Sequence, residues 1–436
     1  MSAQIVFLTL FLGLVSGPQH IVLQVSGPVK TVRIMLDGRE VGVMSGPPWR
    51  LNIDFGPDLT PRELTAVGFN DQGEEIARAR QFLNIPRPTA EFEIALERDG
   101  NEPPTGATLR WRHLVNVQPV RAKLTLDGAP LPVDEKLHVK LPKLDIEVPH
   151  VLAAELHFGD GFVARRELVI ESVLSDSVGT ELTPVLLRET TAEHPDSWDG
   201  CLTTAGGGPV RIAAVEKPRG LMIMVRNPDP RPTAQAFGMS PRAAAGWSAN
   251  TLRRAMPLDR ETIERIQWPV ARRYTKEQET TSILFETSAD MTAGVLYLML
   301  LEYRGGLEGA PRRFADAVAV AGVRALTGSQ RRAVVVVLSA TADASKHDPL
   351  AVRRYLQSIG VPLFVWSIIG PRPEVTDAWG EVEDVSSLGK LGNAVNRLRH
   401  ELDEQRIAWV DVDPLTALQL QAKESCGIAT VARPAP

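Results

Sequence analysis

The chain has 436 residues, 44% of them hydrophobic and 23% charged, with a formal net charge of -5 and a pI near 6.0. That length exceeds one hydrophobic core and implies roughly three domains, and the ordinary composition excludes a disordered, collagen-like or multi-span membrane protein. The mild negative charge makes no electrostatic case for nucleic acid or anionic membrane, and the arginine pairs, such as Arg165-Arg166 and Arg353-Arg354, are scattered and read as solvated surface.

The chain opens on MSAQIVFLTLFLGLVSGPQH, whose apolar run over 5–15 suits the core of a signal peptide and is too short to span a bilayer. A signal-like segment is therefore expected over 1–18, with export to the periplasm, cell surface or medium and no integral membrane span. A mis-set start codon or a first strand is the alternative reading, because the run lacks a basic flank.

Two internal repeats follow. PVKTVRIMLDG, starting at Pro28, returns as PVRAKLTLDG, starting at Pro119, each an alternating strand run that ends in an Asp-Gly turn. LTAVGFNDQG, starting at Leu64, is echoed by LAAELHFGDG, starting at Leu152, with Phe69 and Phe158 in matching places. Units of about 85 to 90 residues made of short strands and turns read as β-sandwiches, expected over 19–86 and 87–173 and joined by the stiff stretch IPRPTAEF. They resemble the immunoglobulin-like modules of bacterial cell-surface and exported proteins, without the cysteine pair of antibody domains. Asp37, Asp71, Asp127 and Asp160 recur in the repeat and read as turn residues rather than as calcium ligands. His113, His138, His150 and His157 lack metal-site spacing and read as surface or half-buried groups.

After a connecting segment over 174–209, the texture changes near Gly220 to strands alternating with helices. LMIMV, TSILF, VVVVL and VPLFVWSII read as buried strands. Helices are expected from 291 to 303, along the face Phe314, Ala317, Val318, Ala321, Ala325, and from Asp348 as N-cap through Val352, Tyr355, Leu356 and Ile359 to Gly360. A long amphipathic helix carries Leu388, Leu391, Val395, Leu398 and Leu402 before IAWVDV. The pattern predicts a doubly wound, largely parallel α/β domain over 210–414 with a tail over 415–436.

The order of these elements resembles the von Willebrand factor type A domain, in particular its divergent relatives in exported bacterial proteins. The resemblance implies a magnesium or manganese ion at the sheet's carboxyl edge, held by an Asp-x-Ser-x-Ser motif after the first strand, a threonine in a later loop and an aspartate after the central valine-rich strand. Here Arg226 stands at the first aspartate position and RNPDPRPT offers no serine at either following place. No serine or threonine occurs over 293–326, and Ala340 replaces the later aspartate, leaving only the outer acid Asp343, read as an acid without partners. A metal-free, degenerate adhesion site with no cofactor is expected, and Asn227, Asp229, Thr341 and Asp343 form a candidate interaction loop.

Ser339, Asp343 and His347 lie within nine residues, but no Gly-x-Ser-x-Gly elbow accompanies them. Helix capping explains His347-Asp348-Pro349 better than catalysis does. Cys201 and Cys426 are compatible with one long-range disulfide or with two buried thiols. The resemblance thus implies a non-enzymatic protein-interaction or adhesion module with a protein partner. A structural spacer is the first alternative, and a hydrolase using Ser339 is the weaker one.

Overall fold

The computed structural model describes residues 3–11, 13–86, 88–98, 103–113, 116–145, 148–159, 162–170, 178–191, 197–226, 261–273, 279–288, 313–338, 343–367 and 378–431. Two β-sandwiches, a small β unit and an α/β unit make up these residues.

The first sandwich packs a three-stranded sheet (Gln4–Phe7, Pro18–Ser26, Arg50–Asp54) on a four-stranded one (Arg39–Met44, Thr31–Leu36, Arg62–Phe69, Glu75–Leu83). The signal-like segment enters this fold: Gln4–Phe7 pairs antiparallel with the following strand, and Ile5, Phe7 and Val15 are buried in the sandwich core. The expected boundary at residue 19 is corrected to Gln4, because alternate apolar side chains of the run face the same core as Ile21 and Leu23. The second sandwich has the same plan, with strands Ala90–Glu97, Gly106–His113 and His138–Lys140 facing the sheet built on Pro119–Leu126, His150–Phe158 and Val163–Ile170.

The repeated Asp-Gly pairs occupy equivalent turns. Asp37 and Gly38 have φ of 51° and 77°, Asp127 and Gly128 have φ of 50° and 81°, and such a pair of positive φ values makes the two-residue hairpin turn. Each aspartate also reaches the neighbouring strand: Asp37 Oδ1 accepts from Glu63 N at 2.9 Å, and Asp127 Oδ1 accepts from Val151 N at 2.8 Å. Asp37 and Asp127 therefore serve the turns, as expected, and Asp160 lies outside the described residues. Phe69 and Phe158 pair across from the starts of the equivalent strands, at Thr31 and Pro119.

The α/β unit has the strands β1 (Gly220–Arg226), β2 (Glu261–Arg273), β3 (Glu279–Ser288), β4 (Arg331–Leu338), β5 (Leu363–Ser367) and β6 (Glu383–Asp384), and the helices α1 (Phe314–Leu326), α2 (Pro349–Ser358) and α3 (Leu388–Glu404). The sheet order is β3-β2-β1-β4-β5-β6, with every pair parallel except β2 with β3. Val334, Val336 and Leu338 pack on α1 and α2. By the strand's period of two, Arg331 faces the other side, where it donates to the Leu402 carbonyl of α3. Helices thus cover both faces, and β1 and β4 are buried along their whole length because neither face meets water. The helix limits follow local chemistry: Asp348 accepts from Leu350 N, Pro349 opens α2, and Gly360 past its end has a φ of 63°. The helix expected over 291–303 lies outside the described residues.

The connecting segment and the tail meet in one unit. Thr183–Glu189 pairs with Gln405–Val410, the expected IAWVDV strand, and with Ile428–Thr430, in an antiparallel sheet separate from that of the α/β unit. A disulfide joins Cys201 to Cys426 across 225 residues of chain, so the α/β unit is an insertion whose two ends are closed by one small, cross-linked β unit. Cross-linking so long a loop restricts the unfolded chain strongly, and removing the bridge by Cys201→Ala with Cys426→Ala should lower stability by about 2–5 kcal/mol in urea unfolding. Thiol titration of the urea-unfolded, unreduced protein should find no free cysteine.

Candidate functional site at the carboxyl edge of the α/β sheet

β1 and β4 run side by side, with Arg226 paired to Val337, so their carboxyl ends open at the switch point where doubly wound sheets bind ligands. Arg226 is buried there. Asn227, Asp229, Ser339, Ala340 and Thr341 lie outside the described residues. The described part of the site is therefore Arg226, Asp343 and what surrounds Asp343.

Helix α1 begins at Phe314 with three backbone N–H groups that no earlier turn can accept, and Arg313 before it makes no side-chain cap. The loop after β4 supplies the acceptors. Asp343 Oδ1 accepts from Phe314 N and Oδ2 from Ala315 N, and Ser345 Oγ accepts from Asp316 N, each at 3.0 Å. Ser345 also donates its N–H (3.0 Å) and its hydroxyl (2.6 Å) to Asp343 Oδ1. The reading of Asp343 as an acid without partners is thus corrected: it is a cap delivered from another segment, and its charge faces the positive end of the helix dipole.

The bonding is reciprocal. The Asp316 carboxylate, in the first turn of α1, accepts from the backbone of Lys346 (3.1 Å) and of His347 (3.1 Å) and from His347 Nδ1 (2.8 Å). Burial works to raise the Asp316 carboxyl, but these hydrogen bonds, led by that of the His347 ring, outweigh it and hold the group below its ordinary value of 3.8. In the neutral ring, Nδ1–H donated to Asp316 leaves Nε2 as the acceptor, and Nε2 lies 3.3 Å from Ser16 Oγ in the first sandwich.

Ser16, His347 and Asp316 stand in the order of a serine-hydrolase triad, whereas in the grouping of Ser339, Asp343 and His347 that the sequence offered as the weaker reading, the acid is turned away into the helix cap. Ser16 is 8% exposed and lies where the first sandwich meets the α/β unit. Hydrolysis needs space for a carbonyl about 3 Å from the nucleophile, so this geometry favours a bridge between units. Asn84 reinforces the same junction, bonding both N–H and C=O of Val15 and accepting at its carbonyl from the buried Tyr355 hydroxyl at 3.0 Å.

The described residues of this edge, Arg226 and Asp343, do not fit the divalent cation that the sequence resemblance implies. A hard cation needs uncommitted carboxylate oxygens, whereas Asp343 already accepts four hydrogen bonds and an arginine closes the end of β1. Among the described residues no group of three His, Cys, Asp or Glu is gathered to hold a metal ion.

No protein-family model matches the chain, and no curated protein matches it. Solved structures that it resembles include fibronectin(III)-like modules of Clostridium thermocellum CbhA, at 13% identity over 41% of this chain and 92% of that one, with a TM-score of 0.16. The central fibronectin-III array of RIM-binding protein matches at 10% identity over 48% of this chain and 87% of that one, with a TM-score of 0.21. A tetra-tandem repeat from the extending region of a large adhesion protein matches at 13% identity over 48% of this chain and 61% of that one, with a TM-score of 0.13. At such scores the sandwich assignment rests on the strand pairing within this chain. Among the described residues, no helix is long and apolar enough to cross a membrane.

Two outcomes follow from the capping exchange. Asp343→Ala should destabilise the protein by about 1–3 kcal/mol in urea unfolding, since it leaves buried helix donors without acceptors. Because Asp316 is depressed in the fold, its contribution is complete above the ordinary carboxylate value and is lost as pH falls through the folded one. The stability difference between wild type and Asp316→Asn should therefore be constant near neutrality and shrink below about pH 4, measured by urea unfolding across pH.

Proposed function

We propose that this chain is a non-enzymatic protein-interaction or adhesion module of the cell envelope or extracellular space. In this reading the α/β unit is a von Willebrand type A-like domain whose adhesion site has lost its metal. The sheet order β3-β2-β1-β4-β5-β6 supports a doubly wound domain of that kind. The observation that carries the reading is the commitment of Asp343 to the α1 cap, which, with an arginine at the end of β1, leaves this edge to act as a protein surface. The Cys201–Cys426 bridge supports an oxidising compartment, hence export, and the tandem sandwiches support presentation away from an anchoring surface.

Full-length, disulfide-intact protein should retain a partner from envelope extract equally well in magnesium and in EDTA. A partner held only with the metal would sink the degenerate-site reading, and no retained partner would favour the spacer. Hydrolysis is the second reading, because Ser16, His347 and Asp316 stand in the order that a serine hydrolase uses, although the burial of Ser16 speaks for a bridge. Turnover of p-nitrophenyl acetate that falls on Ser16→Ala would establish it, and equal rates for both proteins would remove it.

A further inference from the structure

The first sandwich, the interrepeat linker, the second sandwich, the small β unit and the carboxyl ends of α1 and α2 converge on a cleft of about 660 Å³. Clefts of this size between domains are where small molecules are usually held. Its wall is more apolar than polar, with Phe82, Ile85, Phe162, Leu326 and Ile359 among the lining residues.

Arg332 also lines it, and its situation is unusual. It is buried at the start of β4, on the face of the sheet that carries α1 and α2. Its backbone is satisfied by Gln405, which accepts from Arg332 N at 2.8 Å and donates to Arg332 O at 3.1 Å. Its guanidinium makes no hydrogen bond or ion pair among the described residues, and the fully buried Nε is without an acceptor. The other buried arginine of the pair, Arg331, shows what a satisfied one looks like, bonding Pro218 O, Leu402 O and Glu261. Burial lowers the Arg332 guanidinium to about 10, which leaves it charged at neutral pH.

The neighbouring polar groups are already engaged. The carbonyls that end α2, those of Tyr355, Leu356 and Gln357, accept from Ile359, Val361 and Gly360. Arg165 pairs with Glu155 and Glu216 and lies over Trp409, and Asp413 caps the short helix Pro414–Ala417. Arg80, Glu91 and Asp411 line the cleft as exposed residues, where solvent screens them. A buried cation is costly unless an anion answers it, and the chain supplies none among its described residues.

We propose that this junction cleft binds a small amphiphilic organic anion, a carboxylate with an apolar body, with the carboxylate on Arg332 and the body against the apolar wall. Such a ligand would bridge these parts of the chain and stiffen their arrangement.

Octanoate is the probe, and octan-1-ol its uncharged counterpart. Isothermal titration of the full-length protein should show saturable 1:1 binding of octanoate, weakened at least ten-fold in Arg332→Met and largely kept in Arg332→Lys. Octan-1-ol should bind more weakly than octanoate and equally to all three proteins. Thermal melts should show Arg332→Met folded, since it removes an unpaired buried charge at nearly constant length. Absence of saturable octanoate binding to the wild type, or equal octanoate affinity in Arg332→Met, would overturn the proposal. Neither result depends on whether a protein partner or a metal-free edge is found.

Discussion

Three backbone N–H groups at the start of helix α1 have no acceptor in their own helix, and the way they are satisfied organises the junction around them. Asp343 and Ser345 answer them from a loop that follows β4, and Asp316 answers that loop's own N–H groups in return. These bonds tie residues 343–347 to the start of α1. The loop brings His347 to Ser16 of the first sandwich, and Asp348 follows at once to begin α2. Helix start, loop, next helix and neighbouring domain share a single set of hydrogen bonds.

The same economy runs through the contacts between units. Asn84, at the end of the first sandwich, holds Val15 of its own domain and accepts from Tyr355 of α2, while Leu59 lies in the α/β core. On the other side, Arg165 of the second sandwich pairs with Glu216 and stacks over Trp409 of the small β unit, whose indole N–H bonds the same Glu216. The small β unit also closes the α/β insertion through Cys201 and Cys426. Polar side chains are tolerated at these buried seams because each finds a partner across them. Arg332 departs from that pattern and for that reason marks the central cleft.

Much of the architecture was legible from local patterns. The two Asp-Gly hairpins, the phenylalanine positions of the repeat, the valine run of β4 and the capped limits of α2 all lie where the sequence puts them. β2 was not legible. Its described side chains include buried Glu261, Glu264 and Arg265, and a buried strand sought as an apolar run is missed when it carries charge. Glu261 is tolerated only because Arg331 meets it, and Glu264 because Arg324 does. The role of Asp343 was hidden for a similar reason: its helix partners lie 28 and 29 residues earlier, and nothing local announces them. Asp316, Ser345 and Ser16 were likewise missed, each looking like an ordinary polar residue in its own segment.

By itself, the sequence determined the elements whose causes are local: period-two strands, turns that need positive φ, and helices with their own caps. Only the tertiary structure decided how Gln4–Phe7 is used, that the segments flanking the α/β unit form one disulfide-closed sheet, that Asp343 caps a distant helix, and that Arg332 is left facing a cleft. The physical reason is the same in each case. Apolar side chains, cysteines and charges state what they need, burial, a bond or a partner, but the group that meets the need is brought near by folding and has no fixed distance along the chain.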